Sequence, residues 1–474
     1  MIDKIFKAYD VRAVYPEPLG EDEAWKVGYA TAKFLEKENA DAGNPPGPIV
    51  VSRDHRPAAP SMAGALIGGI RAAGLDVIEL GRCDTSVQYF AIPHLNAIGG
   101  VQCTASHNPI EYIGFKISRA QAKPIGQGSG LEDIEAIARK LEEEDVSCPT
   151  PTGKLKQHDI WDDYVAHIRG FLKPALSKPI KLFVDCSNGM GTSLLDKAFK
   201  GIDNLEVIAV NDAYTDKWAH EPNPLVAENM IPTQEGVREH GCDLGACFDG
   251  DADRCMLVDE KGELCGCDHL TAWLASVFVE QHPGEPIIYD LRSSKVVEET
   301  IKALGVEPVR AKVGHVNIKK SLRDSGGSFG GELSGHFYFQ DNSFADSGAI
   351  LLAVALGVIG STDKPLSELI DPFRKYPQSG ERNFTCGDKA AVLEALKTDY
   401  GQGADLVDEL DGVTVDCWTH GGHAVPGAGG WWFNVRASNT EPLLRLNAEA
   451  KDQATLDALL AKLTPLLGTP DAGH

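Results

Sequence analysis

The chain has 474 residues, with 69 acidic against 45 basic side chains and a formal net charge of −24. At roughly 100–200 residues per domain, that length predicts about three or four domains, each able to bury a core. So acidic a chain argues against nucleic acid or an anionic membrane as partner, since either needs a basic face; an anionic small molecule would need a locally positive pocket.

The first residues, Met1-Ile2-Asp3-Lys4-Ile5-Phe6, carry neither the apolar stretch nor the small-residue cleavage site of a secretory signal. Further along, the apolar run from Ala349 to Gly360 is too short to span a bilayer and predicts a buried helix. Eleven cysteines is an odd number scattered over a long chain, which speaks for reduced thiols and a cytoplasmic protein.

One pattern recurs: an apolar strand, a polar or glycine-containing loop, a helix, then another strand. Its first copy is Ile49-Val50-Val51, a helix from about Ser61 to Ala73, and Val77 to Leu80. The second is Leu182-Phe183-Val184, a helix after Gly191, and Val207 to Val210. The third is Ile287-Ile288-Tyr289, a helix from about Ser294 to Leu304, and Val306 to Arg310. Gly74 and Gly305 stand where helix C-caps belong. Strands alternating with helices predict α/β domains with covered sheets. Between the first two copies, Leu131, Ile134, Ala138 and Leu141 line one face of an amphipathic helix whose other face is charged.

After Tyr376-Pro377 no strand–loop–helix unit is read. Short strands are predicted over Val413–Trp418, Trp431–Arg436 and Leu443–Ala448, with a closing helix from Ala454 to Leu463. The expected division is 1–150, 151–262 and 263–375 for three similar α/β domains with mixed sheets between helices, and 376–474 for a smaller α+β domain.

Four loops could carry chemistry. In Asp249-Gly250-Asp251-Ala252-Asp253-Arg254, three carboxylates at alternate positions can converge on one hard divalent cation such as Mg²⁺. With Glu260 they also occupy positions 1, 3, 5 and 12 of an EF-hand loop, but position 6, which needs Gly, is Arg254, and the flanks read as strands. Calcium is rejected on those grounds. Thr104-Ala105-Ser106-His107-Asn108-Pro109, with Lys116 beyond it, offers a nucleophilic serine, although adjacent Ser and His point apart in most backbones and, read alone, the stretch is better accounted for by a polar turn. Gly330 to His336 brackets Glu332 and Ser334, which could together bind a sugar diol, or it is a glycine-rich connection. Arg436-Ala437-Ser438-Asn439-Thr440 could cradle a phosphate, or serve as a polar loop between strands. Gly189-Met190-Gly191 lacks the full dinucleotide fingerprint, and Cys242, Cys247, Cys255, Cys265 and Cys267 lack paired zinc spacings.

Together the four loops resemble those of the α-D-phosphohexomutase superfamily, over essentially the whole chain. Ser106 lies where that family carries a phosphoserine, Asp249–Arg254 resembles its magnesium loop, Glu332–His336 its sugar-recognition loop and Arg436–Thr440 its phosphate-binding loop. Phe6 to Arg12 is similar to its N-terminal segment and Gly314-His315 to its histidine loop. Glu332-Leu333-Ser334-Gly335-His336 is most similar to the bacterial phosphomannomutase/phosphoglucomutase group, with Leu333 in place of Met.

The resemblance implies four domains around a central cleft and interconversion of hexose 1- and 6-phosphates of mannose, glucose or both. Ser106 would carry the phosphoryl group, with Mg²⁺ on Asp249, Asp251, Asp253 and a phosphoserine oxygen, and a 1,6-bisphosphorylated hexose as intermediate and activator. Lys116 and His315 would move the proton and Arg12 would neutralise charge. Tyr9, Arg254, Arg292, Glu332, Ser334, His336, Arg436, Ser438, Asn439 and Thr440 would bind substrate. The partners expected are hexose phosphates, without nucleic acid or membrane, for a monomer or small homo-oligomer. The alternatives are a phosphoglucosamine mutase, a phosphatase or a non-catalytic sugar-phosphate sensor; the intact serine, aspartates and cradle favour the mutase.

Overall fold

A computed structural model describes residues 2–144, 146, 150–420, 430–438 and 443–471. The chain divides into two compact units, one of Met1–Cys265, Leu322–Gly330 and Ser334–Glu368, the other of Gly266–Ser321, Gly331–Leu333 and Leu369–His474.

In the first unit the strand Ile49–Arg53 runs parallel to both Val77–Arg82 and Gly99–Cys103. The sheet becomes mixed at one side, where Gly99–Cys103 pairs antiparallel with Tyr112–Arg119, and that strand antiparallel with Val11–Val14. Helices Glu21–Asp41 and Ala59–Ala72 pack on each other, burying Val27, Leu35, Met62, Leu66 and Ile70. The predicted amphipathic helix is Leu131–Glu143, with Leu131, Ile134, Ala138 and Leu141 on its buried face. A second sheet sets Ile180–Asp185 parallel to Leu205–Val210 and to Leu244–Phe248. Leu244–Phe248 then turns through residues 249–254 into the antiparallel Cys255–Asp259. Strands flank this turn where an EF-hand needs helices, so its acidic residues are fixed by a sheet. The apolar run becomes the helix Gly348–Gly360, buried along almost its whole length.

In the second unit Ile287–Asp290 runs parallel to Pro308–Ala311. Ser294 caps the helix Lys295–Ala303, its side chain accepting from Val296 N. The C-terminal sheet runs in the order Leu406–Asp408, Val413–Asp416, Trp431–Ala437, Leu443–Ala450, Arg382–Thr385, Thr469–Asp471, with every pair antiparallel. Phe384, Leu396, Trp431, Phe433, Leu446, Leu459 and Leu463 build its core.

One expectation about this region is corrected. A strand, Arg382–Thr385, and a helix, Lys389–Gly401, do follow Pro377, ahead of the predicted strands. The strand buries only Phe384, and the helix buries only Leu396 and Tyr400, so neither leaves an apolar periodicity in the sequence. The closing helix is longer than expected, Gln453–Leu467, and passes through Pro465.

Among the described residues the cysteines form no disulfide with one another. No described helix is long and apolar enough to cross a membrane.

Candidate active site

The carboxyl ends of Ile49–Arg53 and Gly99–Cys103 lead into Asp54-His55-Arg56 and Thr104-Ala105-Ser106, the edge where α/β sheets place their chemistry. Arg56, 1% exposed, donates to the carbonyls of Ser106, Asn108, Pro109 and Tyr112 at 2.6–3.0 Å and pairs with Asp54 at 3.2 Å. Asp54 accepts from Thr104 Oγ1 at 2.7 Å, and Thr104 Oγ1 accepts from Ser106 N at 2.9 Å. Ser106 is thereby held at φ 53°, a left-handed conformation uncommon outside glycine. A Cβ at Gly250 would stand 2.5 Å from the Ser106 carbonyl oxygen, so the acidic turn approaches this loop only because residue 250 is glycine.

The left-handed backbone also changes the expectation for His107. Its Nδ1 lies 3.2 Å from Ser106 Oγ, because the turn folds the two neighbouring side chains to one side. Burial, followed by the charges of Arg254 and Arg12, holds the His107 imidazole well below its usual pKa.

Ser106 Oγ donates to Asp249 Oδ2 at 3.2 Å. Asp249, Asp251 and Asp253 are at most 1% exposed, and one oxygen from each lies within 4.8 Å of the others. Lys116 Nζ donates to Asp251 Oδ2 at 2.7 Å and to Asp253 Oδ2 at 2.6 Å, while Thr85 Oγ1 also donates to Asp251 Oδ2. The remaining oxygen of Asp251 and that of Asp253 are buried without a hydrogen-bond partner among the described residues. Arg254 Nε donates to Asp249 Oδ2 at 2.9 Å.

The charges respond to this crowding. Burial pushes the Asp249 carboxyl up to about 7 against the pull of Arg254. Burial also opposes the charge of Asp251, but Lys116 outweighs it and holds that carboxyl low. Lys116 loses to burial and gains more from Asp251 and Asp253, so its ammonium is held well above the usual lysine range. At the edge of the cluster His336 Nδ1 lies 2.6 Å from Asp346 Oδ2 and 3.9 Å from Asp253 Oδ1. Ser334 Oγ is buried with no hydrogen-bond partner among the described residues. Arg12 pairs with Asp10 through Nε at 3.2 Å, and Tyr9 is 36% exposed.

The second unit holds a separate set. Arg292 is clamped on Asp290, its Nε 3.0 Å from Oδ1, and lies 3.9 Å from Glu332. Gly314 N donates to Glu332 Oε1 at 3.1 Å, which places His315 one residue from that carboxylate. Arg292, Arg436 and Arg445 converge on Glu381 at 3.0, 3.0 and 2.9 Å. Burial works against the charge of Glu381, but Arg436, Arg292 and Arg445 hold its carboxyl down at about 2. Ser438 is 6% exposed, while Asn439 and Thr440 lie outside the described residues.

Within the first unit, then, Ser106, Lys116, Asp249, Asp251, Asp253 and Arg254 are brought into one hydrogen-bonded cluster with His336 beside it, whereas Arg12 pairs with Asp10. Within the second, Arg292, Glu332 and Arg436 share a charged network. Sequence reading passed over Arg56, Thr85, Asp346, Glu381 and Arg445. The position of Arg56 just past the carboxyl end of an apolar strand was a signal for it.

Family models cover nearly all of the chain. The phosphoglucomutase/phosphomannomutase alpha/beta/alpha domains I, II and III match residues 3–145, 162–262 and 267–376, and the C-terminal domain matches 382–466. The phosphomannomutase of Escherichia coli strain K12 is 35% identical over 469 residues, covering 98% of each chain. A protein of Xanthomonas campestris named for phosphohexose mutases is also 35% identical, over 465 residues and 98% of each chain. A crystal structure of a phosphoglucomutase/phosphomannomutase family protein from Burkholderia thailandensis superposes with a TM-score of 0.85 at 28% identity, covering 98% of this chain and 99% of that one. Matches to all four domain models, in order, and to full-length relatives make this chain a mutase enzyme of the phosphoglucomutase/phosphomannomutase family.

Proposed function

We propose that the protein interconverts hexose 1-phosphates and hexose 6-phosphates, of mannose, glucose or both, through a phosphorylated Ser106 and a 1,6-bisphosphorylated sugar. The observation that carries this reading is the seat of the Ser106 hydroxyl. It lies 3.2 Å from Asp249 in a buried acidic cluster, on a loop whose backbone a buried arginine grips. Phosphoryl transfer asks a protein for positioning and charge neutralisation above all; this cluster fits the first directly and would fit the second with a divalent cation bound.

The three aspartates fit a hard divalent cation. All offer oxygen, all are buried, and two of their oxygens have no hydrogen-bond partner among the described residues. Bound by Asp249, Asp251 and Asp253, Mg²⁺ supplies positive charge to the transferring phosphoryl group.

In the first transfer the bond between Ser106 Oγ and phosphorus breaks as a sugar hydroxyl oxygen bonds to phosphorus. The hydroxyl gives up its proton and the serine oxygen gains one, so no net charge is made. Lys116 and His315 are assigned to that proton traffic, and Arg12 to neutralising charge. The second transfer reverses these bonds with the sugar's other phosphate and regenerates phosphorylated Ser106. Arg254 is assigned as a further substrate contact that also orients Asp249, as their 2.9 Å pairing supports. Glu332, Ser334 and His336 are assigned to the sugar hydroxyls, and a Ser334 Oγ buried without a hydrogen-bond partner among the described residues supports a donor kept for a ligand. Arg436, Ser438, Asn439 and Thr440 are assigned to the phosphate that is not transferring, with Tyr9 and Arg292 as further contacts. The domain bounds that go with this reading are 1–150, 151–262, 263–375 and 376–474.

The test is a coupled assay on mannose 1-, glucose 1- and glucosamine 1-phosphate, with and without the matching 1,6-bisphosphate. Turnover of the hexose phosphates, stimulated by bisphosphate, is expected. Turnover confined to glucosamine 1-phosphate would replace the substrate, and hydrolysis to free sugar would replace the reaction.

A further inference from the structure

Glu381 is the meeting point of three guanidinium groups, and nothing in the reaction above uses it. One of its oxygens accepts from Arg445 at 2.9 Å, and the other is shared by Arg292 and Arg436 at 3.0 Å each. Arg436 and Arg445 face each other across antiparallel strands, in register as Cα partners. Like charges directly opposite in a sheet repel, so this pair calls for an anion between or beside them. Arg292 already has Asp290, a fully buried partner that clamps it through its own strand end. Arg436 differs: its Nε is buried and has no hydrogen-bond partner among the described residues. A carboxylate has two oxygens to offer three arginines; a phosphate monoester has three terminal oxygens and up to twice the charge.

We propose that Glu381 is a built-in stand-in for substrate phosphate, keeping the seat at Arg436 and Arg445 until the phosphate of a sugar ligand displaces its carboxylate. Arg445 becomes a phosphate-binding residue by the same argument. The side chain of Glu381 is 27% exposed, so it can leave for solvent, whereas Asp290 at 0% cannot. Glu381 follows Gly380, which takes a left-handed φ of 64° with open space around it. The exchange swaps one anion for another and leaves the arginines compensated at every stage. In this way the facing arginines stay ordered without ligand, at the expense of affinity.

This inference rests on reading Arg436 as a phosphate ligand, and the experiment separates the two. Inorganic phosphate is titrated into the full-length protein at constant ionic strength, by calorimetry and by the shift in Tm, for wild type, Glu381→Gln, Glu381→Asp and Arg436→Ala. Removing the competing carboxylate should tighten phosphate binding about fivefold, the upper end of what one partly exposed ion pair is worth. KM for hexose 1-phosphate should fall alongside, with kcat falling too if ligand release becomes slower. Should Glu381→Gln prove too unstable to titrate, Glu381→Asp, one methylene shorter and unable to span the arginines, should tighten phosphate by a smaller factor. Unchanged or weaker phosphate binding in the variant that folds overturns the stand-in and leaves Glu381 as an orienting residue. Unchanged phosphate binding in Arg436→Ala overturns the cradle itself, whatever Glu381 does.

Discussion

Arg56 Nη2 donates to the backbone carbonyl of Ser106 at 2.7 Å, so the position of the candidate nucleophile is set by a side chain fifty residues upstream. The same guanidinium holds three more carbonyls of that loop, and its remaining charge faces Asp54. Removing it strips the loop carbonyls of their buried donor and leaves the buried Asp54 carboxylate without a counter-charge, held only by hydrogen bonds from Thr104 Oγ1 and its own loop's backbone. Arg56→Ala should therefore cost about 3–5 kcal/mol of stability. Arg56→Lys keeps the charge but not the planar fork. It should fold with a lower Tm and lose on the order of 10- to 100-fold in kcat through a misplaced Ser106, with KM little changed. Denaturant melts and steady-state kinetics on both variants check this, and a Lys variant of normal kcat would reduce Arg56 to a stabiliser.

The contrast between Arg56 and the acidic turn explains what the sequence could reveal. Asp249, Asp251 and Asp253 stand out because their alternating spacing is local and the apolar segments on both sides fix it as a turn between strands. Ser106 and Lys116 are legible as a pair only through resemblance; their meeting with the aspartates depends on where two sheets end. Glu381 gave no signal, being one acid in the polar stretch after Pro377, and its importance arises from Arg292, Arg436 and Arg445 being brought to it by three different strand ends. The helix Lys389–Gly401 was missed for a similar reason, since it buries too few side chains to imprint a period.

If Ser106 carries the phosphoryl group, intact-mass analysis should find one phosphate on part of the purified protein, mapped by peptide sequencing to Ser106. Ser106→Ala should lose that mass and nearly all mutase turnover. Full activity in the variant would end the phosphoserine reading.

Chelation should stop turnover while leaving the fold largely intact, because Lys116 already pairs with Asp251 and Asp253. EDTA should abolish activity and Mg²⁺ restore it. Lys116→Met removes that pairing, so its Tm in EDTA should drop below wild type, and added Mg²⁺ should raise its Tm more than it raises the wild-type value. Rescue of activity by Ca²⁺ but not Mg²⁺ would revive the rejected EF-hand reading.

Asp84 caps the helix Thr85–His94, accepting from Val87 N at 3.1 Å and from Tyr164 Oη at 3.2 Å. Burial pushes its carboxyl up to about 7 despite these bonds. The folded protein therefore holds this proton more tightly than the unfolded chain, whose aspartates titrate near an ordinary value of about 4. From there up to about pH 7 the residue's contribution to stability falls as pH rises, and above that it stays lowered. Asp84→Asn keeps an oxygen for the cap and cannot ionise. It should gain on wild type progressively between about pH 4 and 7, by roughly 1.4 kcal/mol per unit of pKa displacement at most. Urea melts at several pH values give the difference directly, and a gap that does not change with pH would refute the ionisation.

Arg436 decides whether the distal phosphate is held where the family resemblance puts it. On the proposed mechanism, one phosphate of the bisphosphorylated intermediate would lie beside Ser106 and the other in the cradle. Charge-assisted hydrogen bonds are worth about 1.5–3 kcal/mol, so Arg436→Ala should cost roughly 10- to 150-fold in kcat/KM. A weaker cradle also frees the intermediate before it has reoriented. Each escape leaves Ser106 without its phosphoryl group, and only 1,6-bisphosphate from solution restores it. The variant should therefore depend far more on added activator than wild type does, and free bisphosphate should accumulate in single-turnover reactions. Kinetics with and without activator separate this from a simple loss of affinity, which would raise KM and leave activator dependence as it was. Unchanged KM together with unchanged activator dependence would mean that the phosphate is held without Arg436.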